Sequence, residues 1–379
     1  MKISLYIHIP FCIQKCLYCD FLSGPFDQKV RLSYVDALCR EIAYKAEELR
    51  DYEVISIFFG GGTPSILSGQ SILKIMHTVK EGFTLSPDCE VTLEMNPGAG
   101  ILQDQDKLPF YREAGINRIS IGLQSANDSE LKKLGRIHTY HEFESTYNLL
   151  LFNYFNNLNV DLISAIPDQT LESYTHTLEK VTSLSPMPTH ISAYSLIIEE
   201  NTPFYSMKLN LPDEETERRM YEITDDILSS KGYHRYEISN YAQEGYESRH
   251  NKVYWTGGYY IGFGVGASSF FDNIRFKNPD SIEKYIRMVK ADDFSFSENI
   301  QKLNKLDLVE EYMFLGLRMI RGISVSEFEK RFDMSFPSQY VDVVRKYEAM
   351  GLMKTEDDRV FLTKAGINVS NVILSEFLF

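Results

Sequence analysis

The chain has 379 residues, 44% of them hydrophobic and 24% charged, which is enough apolar material for a large buried core and more than one domain. A formal net charge of -14 opposes non-specific attraction to nucleic acid or anionic membrane, since such binding relies on Lys and Arg meeting phosphates. No apolar run reaches the ~18 residues of a membrane span, and the opening stretch, broken by His8 and Pro10, is too short for a secretory leader, so a cytoplasmic location is expected, with any membrane association made through a partner.

Short apolar runs alternate with longer amphipathic segments from the start. Ile3 to Ile9, Val54 to Phe59, Val91 to Glu94, Arg118 to Ile121, Val160 to Ile163 and His190 to Leu196 read as strands. Between the first two, Val30, Tyr34, Leu38, Ile42 and Ala46 recur every fourth residue and give one apolar helix face. Serial β-α units of this kind predict an α/β fold, a partial (β/α)6 TIM-like barrel over residues 1–205, with functional residues at the C-terminal strand ends. Residues 206–300 read as an extension of the barrel, with a helix over Asp213 to Ser230 and a Gly- and Tyr-rich stretch after it. Residues 301–379 carry a helix containing Tyr312, Leu315 and Met319, a helical run ending at Met350, and a hairpin signal over 351–363, the pattern of a small winged-helix-like domain.

Five cysteines form an odd set, and three of them crowd together in Cys12-Ile-Gln-Lys-Cys16-Leu-Tyr-Cys19, directly after the first strand. The C-x3-C-x2-C spacing lets one tight loop present three thiolates to three corners of an iron-sulfur cluster. No fourth cysteine accompanies them, which leaves one iron open to another ligand. A structural zinc site would take four Cys or His ligands, and only His8 stands nearby. Cys39 and Cys89 stand alone and read as small buried hydrophobes.

With its setting Tyr6-Ile-His-Ile-Pro-Phe-Cys12, this loop resembles the radical S-adenosylmethionine (SAM) superfamily, and within it the oxygen-independent coproporphyrinogen III oxidase group. The resemblance implies a 4Fe-4S cluster on Cys12, Cys16 and Cys19, whose open iron chelates SAM, and a reductant that triggers SAM cleavage to methionine and a 5'-deoxyadenosyl radical. It further implies SAM contacts from Gly61, Gly62 and Thr63 in the Gly-Gly-Gly-Thr-Pro turn, and from Tyr6, Glu94, Gln124, Arg136 and Asp161. Taken singly, each of these polar residues would read as a helix cap or salt-bridge partner. Their order along the chain is what carries the likeness.

That group holds oxidases and heme chaperones, and two departures favour the chaperone branch. The oxidases carry a further cysteine two residues after the third, where this chain has Phe21. They also carry a long segment ahead of the first strand that closes over substrate, whereas this strand begins almost at Met1. The chaperone branch has a His-Asn-x-x-Tyr-Trp motif, matched by His250-Asn251-Lys-Val-Tyr254-Trp255. An imidazole can ligate heme iron, so His250 is the candidate heme residue; the plain alternative is that His250 and Trp255 pin a loop to the barrel. The expectation is a protein that binds heme and transfers it to an acceptor protein, with homodimerisation left open. The rival activities are oxidative decarboxylation of coproporphyrinogen III and nucleic-acid modification. Residues 301–379 hold 11 Lys and Arg against 12 Asp and Glu, without the basic excess a phosphate-contacting domain needs, so no nucleic-acid partner is expected.

Overall fold

The computed structural model describes residues 1–98, 100–295 and 297–378. Its centre is six parallel strands in chain order: β1 (Lys2–Ile9), β2 (Glu53–Gly61), β3 (Thr84–Met95), β4 (Arg118–Gln124), β5 (Leu158–Ser164) and β6 (His190–Ser195). Alternation along each strand divides two environments. Leu5, Ile7, Ile57, Phe59, Leu93, Ile119 and Ile121 join the apolar face of helix Gln28–Glu48 and its successors in one core. The other face carries polar side chains into the barrel, among them Ser4, Ser56, Glu90, Thr92, Arg118, Ser120, Asn159, His190 and Ser192, all buried.

Helix starts follow local chemistry. Asp27 and Ser68 accept from Val30 and Ser71 backbone N–H groups, and Thr139 and Thr170 form capping boxes. β3 starts well before the expected Val91, because its first half, Thr-Leu-Ser-Pro-Asp-Cys, is too polar to give an apolar-run signal and is paired to β2 across a register shift. The expected helix over 213–230 is found as Glu214–Ser230, with Asp213 as its cap. Cys39 and Cys89 are buried.

The six strands are the middle of a continuous twelve-stranded open sheet. Residues 206–300 supply strands to both of its edges. β7 (His234–Arg235) and β8 (Asn240–Ala242) add antiparallel beside β6, while β9 (Tyr260–Phe263) pairs parallel with β1 and leads to β10 (Ser268–Phe271), β11 (Ile274–Lys277) and β12 (Glu298–Lys302). Between the two edges runs the short helix Arg249–Trp255, which plugs the end of the barrel where the parallel strands begin. The Glu90 carboxylate on β3 accepts from the backbone N–H of Arg249 and of His250, each at 3.0 Å, and Ser248 caps the helix through Asn251 N–H. A buried side-chain acceptor on free helix N–H groups satisfies both at once.

The C-terminal module has its own core, built on Val309, Met313, Phe328, Phe332, Tyr340, Tyr347 and Phe377. Helix Lys305–Gly316 ends before Met319, and the run expected to continue to Met350 is two helices, Val325–Phe332 and Phe336–Ala349, parted where Asp333 takes a left-handed conformation (φ 48°) ahead of Pro337. β13 (Ile323–Ser324) completes a small sheet with the hairpin β14 (Met353–Glu356) and β15 (Arg359–Leu362), in a winged-helix arrangement.

Replacing Glu90 by Ala strands the Arg249 and His250 N–H groups in the barrel floor. The expected loss is about 1–3 kcal/mol of stability, read by urea unfolding, and an unchanged midpoint would refute the capping role.

Candidate functional site

The cysteine loop leaves β1 at Ile9 and is held by the chain that leaves β2. Gly62 N–H donates to Ile9 O and Thr63 N–H to Phe11 O, both at 2.8 Å, so the β1–β2 ladder continues past the strands into the loop. Gly62 is required by that approach, since a Cβ there would stand 2.7 Å from Phe11 O and 2.9 Å from both Ile9 O and Phe11 N. Gly61 has φ +106°, and a Cβ on it would enter the His8 ring. The returning limb is fixed by Cys12 N–H to Gly24 O at 2.9 Å and by the His8 imidazole, whose Nε2 meets Leu22 O at 2.9 Å.

Side chains then connect the thiols to the strand ends. Thr63 Oγ1 lies 3.6 Å from Cys12 Sγ and accepts from Asn96 Nδ2 at 2.8 Å; Asn96 Oδ1 in turn accepts from Arg136 at 2.8 Å, and Arg136 Nη1 reaches Cys16 Sγ at 3.5 Å. Arg136 also donates to Gly122 O at the end of β4. Burial raises the Cys19 thiol pKa, opposed by the Phe21 backbone and by the Lys15 ammonium. The bridging role of Asn96 depends on three segments meeting and has no local signature in the sequence.

A cavity of about 520 Å³ opens above the strand ends. Cys12, Cys16, Cys19, Gly61, Gly62, Glu94, Gln124, Arg136 and Asp161 all reach it, so nine residues singled out in the sequence converge on one space. Thr63 stands behind the cysteine loop, and Tyr6 lies deeper, its hydroxyl 3.1 Å from His8 Nδ1. Gln124 holds a left-handed φ of 73°, a strained conformation at the end of β4. Phe21, at the position of the missing further cysteine, lies two-thirds exposed on the cavity rim.

Of the acidic residues that line this space, Glu94 and Asp161 stand on the strands themselves. Burial, then the neighbouring Asp161, pushes the Glu94 pKa up to about 8, against the Gly61 N–H that donates to its Oε2 at 3.2 Å. Burial also raises Asp161, opposed by donors from Ser120 at 2.9 Å and Asn159 at 2.8 Å. Glu94, Asp161 and Arg136 therefore set two carboxyl groups and a guanidinium beside three thiols, a donor set suited to an iron-sulfur cluster and to a ligand bearing both ammonium and carboxylate groups. Among the described residues no three His, Cys, Asp or Glu side chains converge on a single-ion site. A cluster asks instead for cysteines around one volume, and Cys12, Cys16 and Cys19 all line this cavity.

His250 lies elsewhere, in the barrel floor. It is 1% exposed, Nδ1 meets Ser56 Oγ at 2.9 Å, Nε2 meets Tyr254 OH at 2.9 Å, and its ring packs on Phe58. Burial lowers its pKa to about 3, which keeps it neutral. Both ring nitrogens are engaged, so the heme-ligand expectation meets no open nitrogen, and the arrangement is that of a core histidine pinning the plug helix.

A parallel half-barrel with three loop cysteines at the C-terminal end of its first strand defines the radical SAM class, and residues 6–181 match the model of the radical SAM superfamily. Residues 303–369 match the HemN C-terminal domain. Among curated proteins, the chain is 36% identical over 380 residues to the heme chaperone HemW of Lactococcus lactis, covering 99% of this chain and 97% of the relative. It is 34% identical to that of Bacillus subtilis, covering 99% of each. Its identity to that of Escherichia coli is 41% over 266 residues, covering 70% and 69%. The chain belongs to the heme chaperone HemW family. Among solved structures, the coproporphyrinogen III oxidase HemN of Escherichia coli shares the fold, with a TM-score of 0.85 at 23% identity over 99% of this chain and 89% of that one.

Two outcomes test the site. Asn96→Ala breaks the link from Arg136 to Thr63, and reconstituted protein should then hold less iron per chain than wild type after desalting; equal iron content would dismiss the link. For Glu94, the folded pKa of about 8 stands above the ordinary 4.5, so its contribution to stability is complete below 4.5 and lost as pH rises through about 8. In metal-free protein, Glu94→Gln should therefore raise Tm more at about pH 9 than at about pH 6.

Proposed function

We propose that Cys12, Cys16 and Cys19 hold a 4Fe-4S cluster, that SAM binds beside it, and that the chain binds heme and delivers it to an acceptor protein. The cluster supplies an open iron for SAM and, given a reductant, an electron. Gly61 and Gly62 hold the β2 turn close against the cysteine loop beside the SAM space, Glu94 and Asp161 offer carboxyl oxygens to its ammonium and hydroxyl groups, Arg136 and Gln124 offer donors to its carboxylate, and Tyr6 and Thr63 position the loops behind them. Among the described residues no helix is long and apolar enough to cross a membrane, in keeping with work in the cytoplasm.

The heme reading is carried by identity to proteins named heme chaperone HemW over nearly the full length of both chains. Phe21 in place of a further cysteine supports it against decarboxylation. His250 acts in this reading as a structural pin and not as the iron ligand, because Ser56 and Tyr254 engage both ring nitrogens.

Anaerobically reconstituted protein is expected to bind hemin and pass it to an apo-hemoprotein, while consuming no coproporphyrinogen III in the presence of SAM and reductant. Turnover without stable hemin binding would reverse the reading. His250→Ala should lower the unfolding midpoint and leave hemin affinity as it was; a lost Soret shift in a folded variant would return His250 to the heme site.

A further inference from the structure

The plug helix has two ends with different surroundings. His250 faces the barrel floor, whereas Trp255, the only tryptophan of the chain, faces a cleft of about 410 Å³ between the barrel and the winged-helix module. That volume is in the range of small-molecule sites. Trp255 and Tyr312 form aromatic walls, and Arg321, Lys330, Arg331 and Arg359 bring four cations to the lining, against the single carboxylate of Glu327. Among the described residues none of these four cations has a carboxylate within ion-pair distance, in a protein whose net charge is -14. Such clustering of unneutralised cations raises the local concentration of anions.

The aromatic wall is prepared in a second way. The Arg318 guanidinium stacks on Trp255 at 4.8 Å from the ring centroid and fixes the ring's orientation. The indole Nε1 is buried and has no acceptor, an unsatisfied donor beside the cleft. Arg331 has a structural share as well, donating to Thr256 O at 3.2 Å and Gly257 O at 2.9 Å, so the cleft keeps a fixed width where the plug helix ends. Arg321, Lys330 and Arg359 make no side-chain hydrogen bond among the described residues and are free to meet a ligand.

We propose that this cleft docks heme by its ring and its carboxylates, the tetrapyrrole lying against Trp255 and Tyr312 and the propionates meeting Arg321, Lys330 and Arg359. The inference rests on the heme-binding reading above and gives it a location on the far side of the plug helix from His250. It also gives the winged-helix module a task that its near-neutral overall balance conceals, because the cations are gathered on one face.

The test is hemin titration of the reconstituted full chain, followed by Soret absorbance and by quenching of the single tryptophan. Arg321→Gln, Lys330→Gln and Arg359→Gln together should raise the hemin Kd by about tenfold or more. Arg321→Lys with Arg359→Lys should bind close to wild type, and iron content should be unchanged in both variants. The dimethyl ester of the same porphyrin should bind wild type as weakly as hemin binds the triple variant. Wild-type affinity for hemin in the triple variant, or equal affinity of wild type for ester and dicarboxylate, overturns the cleft while leaving the heme reading intact. Wild-type protein that binds no hemin overturns the reading and the cleft with it.

Discussion

Two backbone hydrogen bonds beyond the end of the β1–β2 ladder, from Gly62 N–H to Ile9 and from Thr63 N–H to Phe11, set where the cysteine loop sits. They make the loop a continuation of the sheet, so three thiols are held by a rigid element and not by a free connection. The geometry tolerates no side chain at Gly62, and it is reinforced by the His8 ring beneath Gly61 and by the Thr63–Asn96–Arg136 chain above. The strand-end carboxylates of β3 and β5 then face the thiols because parallel strands bring their C-terminal ends to one side of the sheet.

The barrel interior is unusually polar for a core, and its satisfaction explains the residues that follow β6. His190 is bonded to Asn159 at 2.6 Å and to Tyr236 OH at 2.8 Å, Ser56 to Ser4 and to His250, and Glu90 to the start of the plug helix. A buried polar group without a partner is costly, so the floor has to be closed by a segment that brings complementary donors and acceptors. Residues 234–255 do this with Tyr236, Ser248 and His250. The edge strands β7 and β8 before the plug helix, and β9 to β12 after it, lie on opposite sides because the chain crosses the barrel between them.

Charge is distributed against its average. The site at the strand ends concentrates carboxyl groups whose pKa values burial raises, while the winged-helix face next to Trp255 concentrates cations in an otherwise acidic chain. The motif His250 to Trp255 spans the distance between these regions, with the imidazole in the barrel floor and the indole in the cleft.

Strand positions β1 to β6, the helix Gln28–Glu48, the cysteine triplet and its glycine turn were legible in the sequence, because each depends on local periodicity or on spacing within one loop. So was the convergence of Glu94, Gln124 and Asp161, since parallel strands present their C-terminal halves to one side of the sheet, whereas Arg136 joins them from the loop after helix Asp128–Lys133. The early start of β3 was hidden by its polar first half, and the break at Asp333 by an apolar pattern that runs on across it. Tertiary structure alone decided the surroundings of His250: a short motif cannot reveal that Ser56 and Tyr254 engage both ring nitrogens. It also decided the bridging of Asn96 and the cleft beside Trp255, whose walls come from residues far apart in the chain and exist only once the module has packed against the barrel.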